Sequence, residues 1–392
     1  MLAFTIQDGR RATARRSVNG LLCPVNGGVS VKIPAHPTHL SKGDRRLMKR
    51  WLKAVLSTVF LLGVLVLVGI TVTIGWRPVI GPKARPLTDR RFEPTPARLE
   101  RGAYLVKNVA ACLFCHSEVD PSVPGLPVKA GMAGSGRTIA AEEMPWLTAT
   151  NLTPDPETGV GRWTDDMLAR AIREGIGHDG RALFPFMPYV NYRKMSDEDL
   201  ASVITYLRSL PVVRRENPPS DVPFPVNRLI NSLPEPVEGS VPEPDVSTPE
   251  KRGEYLVTIA SCSDCHTPRN EQGQYLPGME FAGGNILKYV GAREPRAAAN
   301  ITPSPSGIPY YNEALFIEMF RTGKVRGREI SDLMPWGHYR GMTDEDLAAI
   351  FAYLKTLAPI DHYVDNAMPV TPCPRCNIPH GGGERNKSND GR

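Results

Sequence analysis

The sequence predicts an all-α protein in which one helical unit occurs twice, behind a single hydrophobic helix near the N-terminus. Three observations predict this class. An uncharged apolar segment occupies residues 54–76. Two later stretches match one another, and in both the hydrophobic residues recur at helical rather than strand spacing. The chain of 392 residues is also long enough for two or three domains that each bury a core.

Residues 54–76 have the length and composition of a membrane-spanning helix. A helix of that length extends about 34 Å, which exceeds the roughly 30 Å thickness of a hydrocarbon core. Residues 1–53 carry eleven Lys or Arg against two Asp, which predicts a cytoplasmic N-terminus. A cleaved signal peptide is the alternative, although the apolar run is long and no small-residue cleavage site follows it. We expect a transmembrane anchor at 48–77, single-pass in the bacterial inner membrane, with the later domains in the periplasm.

Residues 1–47 show no amphipathic period, whereas Met48 opens a compact basic start to the anchor. We therefore expect translation to begin near Met48, with 1–47 a mis-annotated or disordered basic extension. The formal net charge of the whole chain is +6, which is less than the excess carried by residues 1–53 alone. Since the rest of the chain is slightly acidic, the sequence predicts no nucleic-acid partner.

The two copies of the unit occupy residues 95–212 and 250–360. RGAYLVKNVAACLFCH at 101–116 matches RGEYLVTIASCSDCH at 252–266, and MSDEDLASVITYLRSLP at 195–211 matches MTDEDLAAIFAYLKTLAP at 342–359. Each copy predicts a helix before the cysteines and a second helix that is capped by Thr164 or Asn312 and ended by Gly175 or Gly323. A last helix is predicted to start at Ser196 in the first copy, and its own first turn is acidic. Residues 213–249 form a Pro-rich, acidic linker, and residues 361–392 form a C-terminal tail.

Each copy contains the pattern Cys-x-x-Cys-His. Thiols at this spacing can attach to a haem, and the following His can ligate its iron. A zinc site would need a second pair of ligands nearby, and a thioredoxin-type pair would lie in a βαβ unit, yet neither pattern follows. The sequence thus predicts two covalently bound haem c groups. Their residues would be Cys112, Cys115 and His116 in the first copy and Cys262, Cys265 and His266 in the second.

The second axial ligand is predicted to be Met187 in the first copy and Met334 in the second. Each precedes Pro and an aromatic residue, and each lies eight residues before the Met that opens the last helix. A thioether ligand leaves no open coordination position on the iron and raises its reduction potential, which suits electron transfer. The alternatives are Met144, His178 and His338, none of which has a counterpart of the same type in the other copy.

These motifs resemble the class I cytochrome c subunits that accompany membrane-bound alcohol, gluconate and related dehydrogenases. The resemblance covers about residues 95–360 and rests on RGAYLVKNVAACLFCH, the segment from NLTPDPETGVG to FPFMPY, and MSDEDLASVITYLRSLP. It implies two tandem class I cytochrome c domains, each with its first and last helices crossing. Many such subunits have a third haem domain, whereas this chain carries two haem motifs and an N-terminal anchor.

The function implied is a membrane-tethered periplasmic dihaem cytochrome c that relays electrons. Its partners would be a periplasmic dehydrogenase of flavin, quinoprotein or molybdenum type and an acceptor in the respiratory chain. No catalytic site of its own is predicted, because no nucleophile triad, phosphate loop or carboxylate cluster accompanies the haem motifs. The alternative is a dihaem redox enzyme of peroxidase or thiosulfate-oxidising type with one reactive haem.

A third cysteine pair, Cys373 and Cys376, lies in the sequence CPRCN, where Asn377 stands in place of the His. We expect a disulfide in an exported pair so close together. A surface metal contact through His380 is the alternative.

Overall fold

A computed structural model of the chain describes residues 42–139, 144–287 and 295–387. Most of the predicted N-terminal extension therefore lies outside the described residues. Within the described ranges the chain is mostly helical, as predicted, and its strands are short.

The first helix, α1, spans Lys42–Thr73 and contains the predicted apolar segment. Within the described part of the chain it is the one helix long and apolar enough to cross a membrane. It begins six residues before Met48, earlier than the predicted anchor, because the preceding Lys and Arg residues also favour helix.

The first copy contains the helices that the sequence predicts. Thr164 accepts a hydrogen bond from the Met167 amide at the start of the second helix, and Gly175 ends that helix in the left-handed conformation. Ser196 caps the last helix in the same way. A short helix, α2 (Arg77–Ile80), precedes the copy, whose own helices are α3 (Pro96–Tyr104), α4 (Cys112–Cys115), α5 (Asp165–Glu174), α6 (Tyr189–Tyr192) and α7 (Asp197–Ser209).

The second copy repeats this order after a linker that contains a short helix, α8 (Val226–Leu229), continued by a 3₁₀ turn at Ile230–Ser232. Asn312 caps its second helix, and Gly323 ends it, as predicted. The helices are α9 (Pro249–Ile259), α10 (Cys262–His266), α11 (Glu313–Thr322), α12 (Trp336–Tyr339) and α13 (Asp344–Thr356), and a 3₁₀ turn at Gly383–Asn386 follows in the tail.

The two copies differ where the first helix meets the cysteines. In the first copy α3 continues as a π-helical turn, Leu105–Val109, in which the Ala110 amide bonds to the Leu105 carbonyl at 2.8 Å. The first copy has sixteen residues at 101–116 where the second has fifteen at 252–266. A π-turn accommodates one extra residue inside a helix. The insertion is thus absorbed before the cysteine turn, which keeps the same form in both copies.

Within the described residues, eight two-residue strands form four antiparallel pairs, which the all-α prediction did not include. A period-2 pattern cannot be recognised over two residues, so such pairs are set by turns and tertiary contacts. The pairs are β1 (Arg137–Thr138) with β2 (Thr148–Ala149), β3 (Ile286–Leu287) with β4 (Arg296–Ala297), β5 (Lys324–Val325) with β6 (Arg328–Glu329), and β7 (Val370–Thr371) with β8 (His380–Gly381).

The first and last helices of each copy pack closely at a glycine. A Cβ placed on Gly102 of α3 would lie 1.9 Å from the Ser202 carbonyl oxygen of α7. The same construction on Gly253 of α9 places the Cβ 2.0 Å from the Ala349 carbonyl oxygen of α13. Only a residue without a side chain allows this approach, so each glycine fixes how its two helices meet.

The two copies contact each other through reciprocal hydrogen bonds. The Tyr104 hydroxyl of the first copy donates to the Asp346 carboxylate of the second. The Tyr255 hydroxyl of the second copy donates to the Asp199 carboxylate of the first at 2.7 Å. Tyr104 and Tyr255 occupy the same position in their copies, as do both aspartates. The duplicated units are therefore related by an approximate twofold arrangement.

Candidate haem-binding sites

Both Cys-x-x-Cys-His motifs form the same tight turn. Ala111 and Ser261, which precede the first cysteine of each motif, have φ angles of 46° and 57° in the left-handed region. This conformation is uncommon for residues other than glycine, and it ends the preceding helix abruptly. A short helical turn, α4 or α10, then presents the cysteines, which are half-buried.

The histidine of each motif is held through one ring nitrogen. His116 Nδ1 lies 2.7 Å from the Thr150 carbonyl oxygen, and His266 Nδ1 lies 2.7 Å from the Ala299 carbonyl oxygen. A carbonyl can only accept, so Nδ1 carries the proton and Nε2 keeps its lone pair. Burial lowers the pKa of both imidazoles against the opposing effect of these carbonyls. Each histidine is therefore a neutral imidazole suited to metal ligation.

The cysteine thiols are protonated groups in this environment. Burial raises the pKa of Cys112 to about 12, and the neighbouring Cys115 adds to the effect. Burial likewise raises the pKa of Cys262 to about 12. The low pKa that marks a thiol–disulfide exchange site is absent from these two thiols.

The two predicted methionine ligands have the same local backbone. The Tyr189 amide donates to the Met187 carbonyl at 2.8 Å, and the Trp336 amide donates to the Met334 carbonyl at 2.7 Å. Both methionines are half-buried and pack against the core. The structure thus gives the two methionines equivalent positions in the duplicated unit.

The loop that carries Met187 lies beside the first cysteine motif. Phe186 lines a cavity together with Cys115, Phe114 and Ile139. Phe184 packs edge-on against Trp146 with ring centroids 4.9 Å apart, and both belong to the same apolar cluster as Cys115. This apolar, aromatic surrounding is what a largely buried haem requires.

Sequence reasoning missed the side chains that tie each cysteine turn to the following loop. The Arg137 guanidinium donates to the Phe114 carbonyl at 2.8 Å, within the first motif. In the second copy the Asn285 amide donates to the Cys265 carbonyl at 3.0 Å. The two residues differ in type and act over about twenty residues of sequence, so no local pattern marks them.

The three alternative iron ligands have different surroundings. Met144 packs in the apolar cluster that contains Cys115, so it lies next to the first motif. His178 stacks on Trp163 with ring centroids 4.5 Å apart. His338 is buried, its Nε2 has no hydrogen-bond partner among the described residues, and its ring packs edge-on against Phe114 at 5.4 Å.

The two cysteine motifs face each other across the contact between the copies. Asn191 of the first copy donates to the Asp264 carboxylate, inside the second motif, at 3.1 Å. His338, at the equivalent position of the second copy, packs against Phe114 inside the first motif. Each unit therefore touches the cysteine turn of the other, and both candidate sites lie beside one interface.

The residues present fit two covalently attached haem c groups. Each copy supplies two thiols on one turn and an imidazole whose Nε2 is left available by its Nδ1 bond to a carbonyl. The two Cys-x-x-Cys pairs are thus consistent with one haem in each copy.

No protein-family model matches the chain. The gluconate 2-dehydrogenase cytochrome c subunit of Pantoea cypripedii is 32% identical over 282 residues, which are 68% of this chain and 60% of that protein. A diheme cytochrome c-type protein of Cereibacter sphaeroides is 29% identical over 255 residues, or 64% of this chain and 83% of that protein. A nicotinate dehydrogenase subunit of Pseudomonas putida is 34% identical over 227 residues, or 54% of this chain and 17% of that protein.

The chain is thus a distant homologue of dehydrogenase cytochrome c subunits and of a diheme cytochrome c. It spans little more than half the length of the alcohol and fructose dehydrogenase cytochrome subunits that it matches, and a smaller share of the nicotinate dehydrogenase protein.

Proposed function

We propose that this chain is a membrane-tethered dihaem cytochrome c that relays electrons from a periplasmic dehydrogenase to the respiratory chain. The observation that carries the proposal is the duplicated site, in which both copies present the same thiols, the same carbonyl-held imidazole and an equivalent methionine. Two similar redox centres in one chain suit a relay. The alternative, an enzyme with one reactive haem, would favour two sites with different ligands.

When bound, haem c supplies reversible one-electron chemistry at its iron. The chain's own residues would hold the group and set its potential. Cys112, Cys115, Cys262 and Cys265 would attach the two groups, and His116 and His266 would ligate the irons through Nε2. Met187 and Met334 would each supply a thioether ligand to an iron, which would exclude small molecules from the iron and raise its reduction potential. Each copy would form a class I cytochrome c domain around its haem.

The contact between the copies supports transfer between the two sites. Asn191, Asp264, Phe114 and His338 hold the two cysteine turns beside the same interface. The reciprocal tyrosine bonds to Asp346 and Asp199 fix the units relative to each other. An electron that enters one unit would therefore have a short, fixed path to the other.

The long apolar helix α1 supports tethering in the bacterial inner membrane, with the haem-binding units on the periplasmic side. The names of the homologues support a dehydrogenase as the electron donor, since they are cytochrome subunits of alcohol, fructose and gluconate dehydrogenases. The partner would be a dehydrogenase of flavin, quinoprotein or molybdenum type, and it would determine the substrate.

Copurification tests the partner directly. The tagged, haem-loaded chain is purified from its native membrane in mild detergent, and the proteins that accompany it are identified by mass spectrometry against an untagged strain. A dehydrogenase enriched with the tagged chain, and reduction of both haems on addition of that enzyme's substrate, would support the proposal. Enrichment of a terminal oxidase or a quinol-oxidising complex without any dehydrogenase would contradict the role as a dehydrogenase subunit.

A further inference from the structure

The C-terminal segment contains a second group of metal-binding side chains that the haem assignment does not use. The group consists of His362, Cys373, Cys376 and His380, and we call it the C-terminal cluster. The ligand atoms that these residues offer all lie within 4.8 Å of one another. All four residues are buried, and the two histidines are 0% exposed. The structure has free thiols at Cys373 and Cys376 where a disulfide was expected, and the alternative of a surface contact through His380 is wrong about the surface, because His380 is buried.

A β-hairpin brings three members of the cluster together. Strand β7 pairs with β8, and Thr371 lies opposite His380. Cys373 and Cys376 occupy the hairpin loop, where the Asn377 amide donates to the Cys373 carbonyl at 2.9 Å. Asn377 has a φ of 59°, a left-handed conformation that Asn tolerates better than most residues. His362 joins from the segment that follows α13.

The Nε2 atoms of His362 and His380 point at each other, an arrangement that a bound cation would stabilise. His362 Nδ1 lies 2.8 Å from the Ala282 carbonyl, and His380 Nδ1 lies 3.2 Å from the Gly381 carbonyl. Their Nε2 atoms lie 3.3 Å apart. Two neutral imidazoles carry two ring N–H protons, whereas each of these three contacts needs one proton. At least one contact therefore brings two lone pairs together. Burial disfavours an imidazolium here, whereas a metal ion between the Nε2 atoms would satisfy all three contacts.

The spacings within the cluster match those around one tetrahedral zinc ion. With Zn–N of about 2.05 Å and Zn–S of about 2.3 Å, neighbouring nitrogens lie about 3.3 Å apart, and a nitrogen and a sulfur lie about 3.6 Å apart. The observed Nε2–Nε2 distance is 3.3 Å, and His362 Nε2 lies 3.4 Å from Cys373 Sγ. A two-iron cluster places its cysteines and histidines on different irons, which would separate this His–Cys pair much further.

The surroundings suit a zinc site of two cysteines and two histidines. Two thiolates would balance the charge of Zn²⁺, so the buried site would be neutral, and two thiol protons would leave on binding. The Asn386 side-chain amide lies 3.4 Å from Cys373 Sγ, where it can donate to a thiolate. A Cβ on Gly284 would lie 2.8 Å from the His362 ring and 3.6 Å from Cys376 Sγ, so glycine leaves room for the ligands.

The first copy provides an internal comparison, because it has no such segment attached. Asn151 and Asn300 donate to the Val213 and Ile360 carbonyls, which identifies these two carbonyl residues as equivalent. Two residues further on, the segment that follows the first copy has Arg215, which pairs with Glu118 at 2.6 Å. The segment that follows the second copy has His362 at this position. The copies thus differ in residue type where the C-terminal segment docks.

We propose that the C-terminal cluster is a structural zinc site that fastens residues 361–387 to the second haem-binding unit. Two consecutive residues connect the site to the second motif. His362 Nδ1 bonds to the Ala282 carbonyl, and the amide of the next residue, Gly283, donates to the His266 carbonyl at 2.7 Å. The zinc site replaces the expected Cys373–Cys376 disulfide, and it is independent of the electron donor.

Metal analysis of the full-length, haem-loaded protein tests the site. The protein is purified in detergent with a peptide-affinity tag, without metal resin, and its metals are measured by inductively coupled plasma mass spectrometry. We expect about one zinc for every two haem irons, and zinc-edge X-ray absorption with two sulfur and two nitrogen neighbours. Absence of zinc together with a Cys373–Cys376 disulfide in peptide mass spectra would overturn the proposal, as would a zinc shell without sulfur.

Variants locate the zinc within the chain. We expect Cys373→Ser and His380→Asn each to lower the zinc retained after dialysis against a chelator by roughly tenfold or more, with haem content unchanged. His178→Asn is the matched control, since His178 stacks on Trp163 outside the cluster, and it should retain zinc. Equal zinc retention in all three variants would place the metal elsewhere and contradict the site.

Limited proteolysis of the wild-type protein avoids any folding defect of a variant. Arg375 lies in the loop between the two cysteines and is exposed, so trypsin can reach it once the loop opens. We expect chelation of zinc to increase the rate of cleavage after Arg375 at least about tenfold, because the metal supplies folding free energy to this segment. An unchanged rate after verified zinc removal would contradict a structural role.

Discussion

At the scale of single residues, the candidate metal ligands share one arrangement. His116, His266 and His362 each place Nδ1 within 2.8 Å of a main-chain carbonyl. The carbonyl fixes the tautomer and the ring orientation, so Nε2 is the atom left for a metal. The residue after each cysteine pair differs. A His follows two of the pairs and completes the proposed haem motif, whereas Asn377 follows the third pair, which belongs to the proposed zinc site.

Replacement of the methionines tests the assignment of the second axial ligands. We expect Met187→Leu and Met334→Leu each to lower the potential of about half of the haem, because a thioether ligand raises the potential of a haem iron. Each variant should also open one iron to carbon monoxide. Redox titration monitored by optical absorption measures the potentials. The absorption spectrum of the reduced protein after addition of carbon monoxide measures its binding.

Met144→Leu is the control for these variants, because Met144 packs on the side of the first motif without a counterpart in the second copy. It should leave both potentials unchanged. If Met144→Leu lowers a potential and Met187→Leu does not, the ligand of the first haem is Met144.

Residue spacing predicts the cysteines, the axial histidines and the two methionines, because these act through short, repeated patterns. It does not predict Arg137 or Asn285, whose contacts depend on how the loops return to the cysteine turns. Nor does it predict His362, because ten residues separate it from Cys373. His362 joins the cluster only when the β7–β8 hairpin packs against the segment that follows α13. Four His and Cys residues within nineteen positions were the available signal.

At the scale of helices and strands, sequence predicts what is set by local chemistry. Thr164 and Ser196 cap their helices as expected, since a side-chain oxygen satisfies an amide of the first turn. The π-turn at Leu105–Val109 becomes explicable only by comparing the two copies. The two-residue strand pairs have no sequence signature of their own.

The segment between α2 and α3 is held to the first unit by a buried ion pair, which gives a stability prediction. Arg85 contacts Asp166 and Glu174 at 2.7 Å, and both carboxylates are at most 2% exposed. We expect Arg85→Ala to lower the free energy of unfolding by about 3 kcal/mol, because it leaves two buried carboxylates without their partner. Guanidinium denaturation of the detergent-solubilised protein measures the change.

The matched control is Arg98→Ala, which removes an arginine from a more exposed pair. Glu198, its partner, is 52% exposed, so the loss should stay below about 1 kcal/mol. Equal losses for the two variants would show that the Arg85 pair does not fasten the segment.

At the scale of the whole molecule, duplication is visible in the sequence but the way the copies meet is not. Tyr104 and Tyr255 look like ordinary helix residues, yet each reaches the last helix of the other copy. Such contacts depend on the relative placement of two domains, which hydrophobic spacing does not encode. Both cysteine motifs consequently lie beside one interface, which supports the proposed electron relay.

Carbon monoxide binding to the reduced, full-length protein separates an electron relay from a dihaem enzyme. Haem is first quantified against protein, and the fully reduced sample is then mixed rapidly with carbon monoxide and followed by optical spectroscopy. If Met187 and Met334 close both irons, we expect about two haem c groups per chain and rapid binding by less than about a tenth of the haem. Rapid, stoichiometric binding at one haem would mean an open iron and would contradict the relay.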